Sequence, residues 1–303
     1  MQRILLCAFI ALVAGCATTN HDRAGLTSVE HYVLTKSTAP AIAGQDALLY
    51  VREVTQSPAA GAGVVLFVHG AGTPAEVSFD VPYKDYSWMA YLARAGYDVF
   101  SVDMTGYGRS TRPFPMNDPC NFLKDQQKDF VPTPLTAPCA PSFAKPITTM
   151  ESDWNDIDGV VNYIRKLRNV SKVSLVAWSL GGPRSAGYAA QNPGKVEKLV
   201  LLAPAYNRAA SANPPGPIPF AGYAMNKQSR ADFDANWDRQ VGCADQYEPG
   251  ASQAVWTGML ASDPVGATCG TGWWPERAYA FASSSGVTLE DYYPYTAGDQ
   301  DGS

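Results

Sequence analysis

The stretch from Lys172 to Gly182, KVSLVAWSLGG, constrains the fold more than any other part of the chain. Val173 to Ala177 is a short apolar run with β-branched residues, the pattern of a strand buried on both faces. It runs into Ser179 and then Gly181 and Gly182, after which Pro183 to Gln191 is rich in alanine and predicts a helix. A strand that turns at once into a helix makes a sharp corner, and the residue at its tip is held in a strained conformation. The positions two before and two after the tip face the neighbouring strand and helix, where only small side chains fit. Here they are Ala177 and Gly181.

The same alternation extends to either side. Val29 to Leu34 and Ala47 to Val54 predict two leading strands in a hairpin. Ala62 to Val68 predicts a fully apolar strand that ends in His69-Gly70-Ala71-Gly72. Tyr86 to Ala95 has helical spacing and is stopped by Gly96; Tyr97 to Asp103 predicts the next strand. Thr148 with Glu151 predicts a capping box, opening a helix whose apolar stripe is Trp154, Ile157, Val161, Ile164 and Leu167. Val196 to Ala203 predicts another buried strand. Such alternation implies a parallel sheet with right-handed crossovers, and working groups gather at the carboxyl ends of its strands. His69-Gly70, Asp103 and Ser179 all fall at those ends. With 303 residues, 46% of them hydrophobic, the chain can build such a core. A net charge of −5 with no basic stripe gives no electrostatic case for nucleic acid, so none is expected as a partner.

Two stretches break the rhythm. Thr111 to Ile147 is rich in proline and carries Cys120 and Cys139, and a loop that long is usually functional or stapled. Tyr206 to about Ser285 has a proline-rich start and contains Trp237, Trp256, Trp273 and Trp274. Those aromatics either line a pocket for an apolar or aromatic group or form the small core of an inserted segment, beneath which Trp178 is expected to pack.

The first sixteen residues read as a targeting segment. Arg3 supplies the positive start, and Ile4 to Ala14 is an apolar run too short to span a bilayer. Val13-Ala14-Gly15-Cys16 resembles the lipobox of bacterial lipoproteins. That resemblance implies lipidation of Cys16, an N-terminal lipid anchor and, because Ala17 follows the cysteine, the outer membrane, facing the periplasm or the exterior. In an oxidising compartment Cys120, Cys139, Cys243 and Cys269 would pair. Three pairings are open. Cys120–Cys139 with Cys243–Cys269 is preferred, since each closes a loop within one insertion, at about 3 kcal/mol per loop in the chain-entropy model. No spacing suggests a metal site.

From about Val29 to Ala205, three motifs stand in one order: H-G-x-G at His69–Gly72, D-x-x-G-x-G-x-S at Asp103–Ser110, and the small-x-Ser-x-Gly corner at Ala177–Gly181. Together they resemble the α/β-hydrolase family, in which that corner is the nucleophile elbow. The resemblance implies an α/β fold with a mostly parallel, doubly wound sheet and an inserted cap. Residues 1–16 would be the signal, 17–28 a tether, 29–205 the core, 206–285 the cap and 286–303 the return to the core. It further implies a serine hydrolase acting without a cofactor on small carboxylic esters with apolar or aromatic groups, through an acyl-enzyme. Ser179 would be the nucleophile, and the backbone N–H groups of Ala71 and Leu180 the oxyanion hole. Asp301, with Asp299 as its competitor, would be the acid. By the same resemblance His69 and Asp103 are structural. The family's base is a histidine that follows the serine, whereas His21, His31 and His69 all precede it. The last strand and the histidine loop are therefore expected to be missing, and the polypeptide is expected to turn over little or nothing. A serine at 179 disfavours aspartate-nucleophile dehalogenases and epoxide hydrolases. An amidase or peptidase, a thioesterase, a haloperoxidase, or a non-catalytic binding protein on a degenerate scaffold stays open.

Overall fold

Six strands align in the order β1-β2-β4-β3-β5-β6 in the computed structural model, which describes residues 25–56, 62–129, 135–205, 223–225, 227–262 and 279–282. The leading hairpin is β1 (Thr27–Lys36) and β2 (Asp46–Thr55), antiparallel and in unbroken register. β2 joins β4 (Asp98–Val102) antiparallel; β3 (Val64–Val68), β4, β5 (Val173–Trp178) and β6 (Val196–Leu202) run parallel. All five residues of β3 and all five of β4 are buried, as a sheet covered on both faces requires.

One face is covered by α3 (Met150–Arg168) and α4 (Gly181–Gln191). Leu49, Leu66, Phe100 and Leu175 meet Ile157, Val160, Val161 and Ile164 there. Each such side chain, fully buried, contributes roughly 1.5–3 kcal/mol. The other face is covered by α1 (Ala75–Phe79) and α2 (Trp88–Arg94), with Val65, Phe67 and Val99 against Ala75, Phe79, Met89 and Ala93. Trp178, expected beneath the later insertion, packs against this second cluster; among the described residues it is not part of the insertion's own small core.

Several local expectations shift. The capping box of α3 is formed by Thr149 and Ser152, one residue along from Thr148 and Glu151: the extended backbone is at Thr149, whose side chain accepts from the Ser152 N–H. Thr148 is buried, and Glu151 instead places its charge in the first turn, where the helix dipole favours it. Leu167 is exposed, so the apolar stripe ends at Ile164; Asn169, in the left-handed conformation, closes the helix. β6 is not a buried strand. Val200, Leu201 and Leu202 are exposed, because among the described residues β6 has a neighbour only in β5.

The insertion after β4 carries the expected staple, a Cys120–Cys139 disulfide with its α-carbons 5.2 Å apart. Buried Gln127 locks it, donating to the carbonyls of Cys120, Phe122 and Cys139 and accepting the Cys139 N–H. Met116, Phe122 and Ile147 from this loop enclose Ala224 and Met225, whose N–H groups both donate to the Asn121 carbonyl. Cys243 is exposed and unpaired among the described residues; Cys269 lies outside them, so that pairing has no described counterpart. β7 (Lys227–Ser229) pairs antiparallel with β8 (Tyr279–Ala282). Between them, α5 (Arg230–Arg239) and α6 (Ala251–Ser262) bring Phe233, Trp256 and Met259 onto Val77 of α1, with Trp237 packed against them. Trp237 and Trp256 thus belong to a small core, the second of the two roles open to them; Trp273 and Trp274 lie outside the described residues.

Candidate active site

Ser179 has φ of +54°, a left-handed conformation that costs a non-glycine residue energy and is kept only where its surroundings impose it. Those surroundings are on both sides. The Ser179 N–H donates to the Leu202 carbonyl at 3.0 Å, and the Ser179 carbonyl accepts from the N–H groups of Gly182 at 2.9 Å and Ala205 at 3.0 Å. The end of β6 therefore brackets the corner. Gly181 has no room for a side chain: a β-carbon there would lie 2.3 Å from the Val68 carbonyl oxygen. The side chain at 179 is half-buried rather than lost in the packing.

The turn after β3 lies directly against this corner. A β-carbon on Gly70 would sit 2.9 Å from Cβ of Ser179. Ala71 follows, half-exposed, and then Gly72 with φ of +73°. Leu180, on the other side of the serine, is the N-cap of α4, so its N–H belongs to the positive end of that helix. Among the described residues, neither the Ala71 nor the Leu180 N–H has an acceptor. Two free amides flank one half-buried serine, an arrangement able to hold an oxygen that gains negative charge.

His69 is not a base. Its Nε2 accepts the Met104 N–H at 3.1 Å, so Nδ1 carries the proton and donates to the Gly70 carbonyl at 2.7 Å. Full burial, with Arg184 adding to it, pushes its pKa down to about 3. His31 lies on β1, four strands from β5, about 19 Å at the usual spacing, and pairs with Glu53 and Tyr163. Asp103 is fully buried and ties down two loops, accepting the Ala75 N–H at 2.7 Å and the Arg109 N–H at 3.0 Å. Burial raises its pKa to about 7. Gly108 makes this possible, since a β-carbon there would lie 2.0 Å from Asp103 Oδ2. Asp299, Asp301, Cys16 and His21 lie outside the described residues.

The sequence reading missed Arg184 and Asp153. Both are buried, with Arg184 Nε 2.6 Å from Asp153 Oδ2. Leu180, Arg184 and Tyr188 stand at helical spacing, and a guanidinium between two buried positions was the available signal. Among the described residues no cluster of histidine, cysteine or carboxylate side chains could hold a metal ion, and no helix is long and apolar enough to cross a membrane.

A family model described as the alpha/beta hydrolase fold matches residues 63–284. No curated protein matches the sequence. Among solved structures, the chain is similar to epoxide hydrolase I of potato, Solanum tuberosum. The TM-score there is 0.37 at 20% identity, covering 63% of this chain and 44% of that one. It is also similar to a predicted CIB-like hydrolase from Thermoplasma acidophilum (TM-score 0.37, 14% identity, 59% and 64% covered). A thioesterase domain from the curacin biosynthetic pathway is a further likeness (TM-score 0.37, 18% identity, 61% and 50% covered). The chain thus spans less than half the length of the potato enzyme.

Proposed function

We propose that this chain, which belongs to the α/β-hydrolase family, is a serine hydrolase acting on carboxylic esters through an acyl-enzyme. The left-handed Ser179 corner, with the Gly70 turn packed against it, is the observation that carries this. Ser179 Oγ attacks the ester carbonyl carbon while its proton leaves to a base. The Ala71 and Leu180 N–H groups hold the oxygen that becomes negative. The intermediate collapses, expelling the alcohol, and water later releases the acid by the same steps. Asp301, or its competitor Asp299, would orient the base. A serine rather than an aspartate at 179 supports acyl transfer over epoxide opening.

The base is the part this sequence does not supply. No histidine follows Ser179, and His69 and His31 are engaged elsewhere. Losing one triad member leaves only the residual catalysis of the oxyanion hole and binding. Little turnover is therefore expected of this polypeptide. The helices α5 and α6 are proposed as the cap, and Cys16 as the lipid-anchored terminus, for which loss of fatty-acid labelling in Cys16→Ser is the check.

The test uses p-nitrophenyl esters of varied acyl length with and without added imidazole, which can act as a diffusible base. The expected result is hydrolysis that imidazole stimulates in the parent well beyond the Ser179→Ala variant. Equal rates in the two proteins would favour a non-catalytic binding protein. A normal enzymatic rate without imidazole would refute the missing base.

A further inference from the structure

We infer that Arg184 is a positioning residue for the oxyanion hole: from beneath the turn after β3 it holds the Gly70–Ala71 peptide so that the Ala71 N–H faces Ser179. The assignment rests on the serine-hydrolase reading above. Arg184 sits one helical turn beyond Leu180 and is completely buried. Its Nε donates to Asp153 Oδ2 at 2.6 Å, while Nη1 lies 3.2 Å from the His69 carbonyl oxygen and 3.4 Å from that of Gly70. The Gly70 oxygen also accepts from His69 Nδ1 at 2.7 Å.

Two physical facts give these contacts a role. First, a buried ion pair is a poor way to stabilise a helix–helix contact, because desolvation offsets most of the attraction and apolar side chains would serve as well. The guanidinium therefore asks for a purpose other than joining α3 to α4. Second, a trans peptide is planar, with its C=O and N–H pointing in opposite directions. With the Gly70 carbonyl tied toward Arg184 and His69, the Ala71 N–H is turned the other way. Gly70 itself abuts Ser179. Arginine suits this task because its fork can hold a carboxylate and two carbonyls at once and does not lose its proton. A lysine could keep the pairing with Asp153 but not the reach to both carbonyls.

The experiment compares the ¹⁵N-labelled parent chain with Arg184→Lys, folding being checked by far-UV circular dichroism. The double variant Asp153→Leu/Arg184→Met, which removes both charges together, stands in if the lysine variant does not fold. Residual dipolar couplings report the direction of the Ala71 and Leu180 N–H bonds without ligand, and phenylboronic acid is the probe for the hole. The expected result is a changed coupling at Ala71 with Leu180 unchanged. Boronic acid should shift both amides equally in the parent and Ala71 much less than Leu180 in the variant, with affinity about tenfold weaker, less than the 10²–10³ typical of losing a whole donor. A folded variant whose Ala71 coupling matches the parent overturns the proposal, as does failure of both variants to fold, which would make Arg184 merely structural. If the parent shows no shift at either amide, the serine-hydrolase reading falls, while the ligand-free couplings still decide the role of Arg184.

Discussion

Gly70 and Ser179 touch: a β-carbon on Gly70 would stand 2.9 Å from Cβ of Ser179 and 3.2 Å from the Trp178 carbonyl oxygen. The turn that would hold an oxyanion and the hydroxyl that would attack are thus one packed unit, built from the ends of β3 and β5.

Glycine substitutions should rank by what their new methyl group meets. Gly181→Ala drives a methyl into the Val68 backbone oxygen, which cannot swing aside, and should cost about 3 kcal/mol, the upper end of overpacking. Gly70→Ala meets Cβ of Ser179 and the Trp178 carbonyl oxygen, neither free to swing aside, but at the longer distances of 2.9 and 3.2 Å, and should cost less, about 1–2 kcal/mol. Urea unfolding midpoints measure both. A Gly181→Ala midpoint equal to that of the parent would mean the corner is not this tight.

Strain at Ser179 has its own signature. Its φ of +54° disfavours any residue with a β-carbon, so Ser179→Gly should be about 1 kcal/mol more stable than Ser179→Ala, although both lose the hydroxyl. Thermal unfolding of the pair isolates the backbone term. Equal melting temperatures would argue that the left-handed corner relaxes once the hydroxyl is gone.

How much of this was legible in advance depends on whether the cause was local. β3 and β4 are apolar runs buried on both faces and β5 alternates buried with half-buried residues, while the small residues around Ser179 sit at fixed spacing from it, so pattern alone finds them. α1 was missed because it has five residues, and the N–H of Ala75 is anchored by Asp103, 28 positions away. Arg184 was missed for the same reason, its partner Asp153 lying 31 positions earlier on another helix. β6 was misjudged because apolar composition reports a tendency to be covered, not whether a neighbour is present.

Asp156 should make stability depend on pH in an unusual direction. It is fully buried with a single described backbone donor, the Thr105 N–H at 2.9 Å, and burial lifts its pKa from 3.8 to about 7. A carboxyl raised in the folded state binds its proton there more tightly than in the unfolded chain. Its contribution is therefore present at low pH and is lost as pH rises from about 4 to about 7. Asp156→Asn cannot ionise, so the variant should gain on the parent across that window. Chemical denaturation of both at several pH values measures the difference. A gap that stays constant with pH would show that Asp156 is ionised throughout.

Reduction of the Cys120–Cys139 bridge should be felt beyond its own loop. Opening a cross-link with a sequence separation of 19 costs about 3 kcal/mol in the chain-entropy model. The same loop supplies the Asn121 carbonyl that accepts from Ala224 and Met225. In Cys120→Ser/Cys139→Ser those two amides should exchange hydrogen faster than the amides of β5. Unchanged protection at 224 and 225 would mean that Met116, Phe122 and Ile147 hold the segment without the staple.

Two kinds of contact join the α5–α6 region to α1 and the loop after it, and their magnitudes decide which matters. Lys84 pairs with Glu248, but both side chains are about half exposed, so solvent screening leaves the pair little to contribute. Trp256 is buried against Phe233, Met259 and Val77, and truncating such a side chain costs about 3–5 kcal/mol. Glu248→Gln should therefore leave trypsin cleavage at Arg239 almost unchanged, whereas Trp256→Ala should accelerate it strongly while β3 and β5 keep their protection. The opposite ranking would make the ion pair the clasp. Cleavage unaffected by either change would mean that α5 is held chiefly through β7 and its pairing with β8.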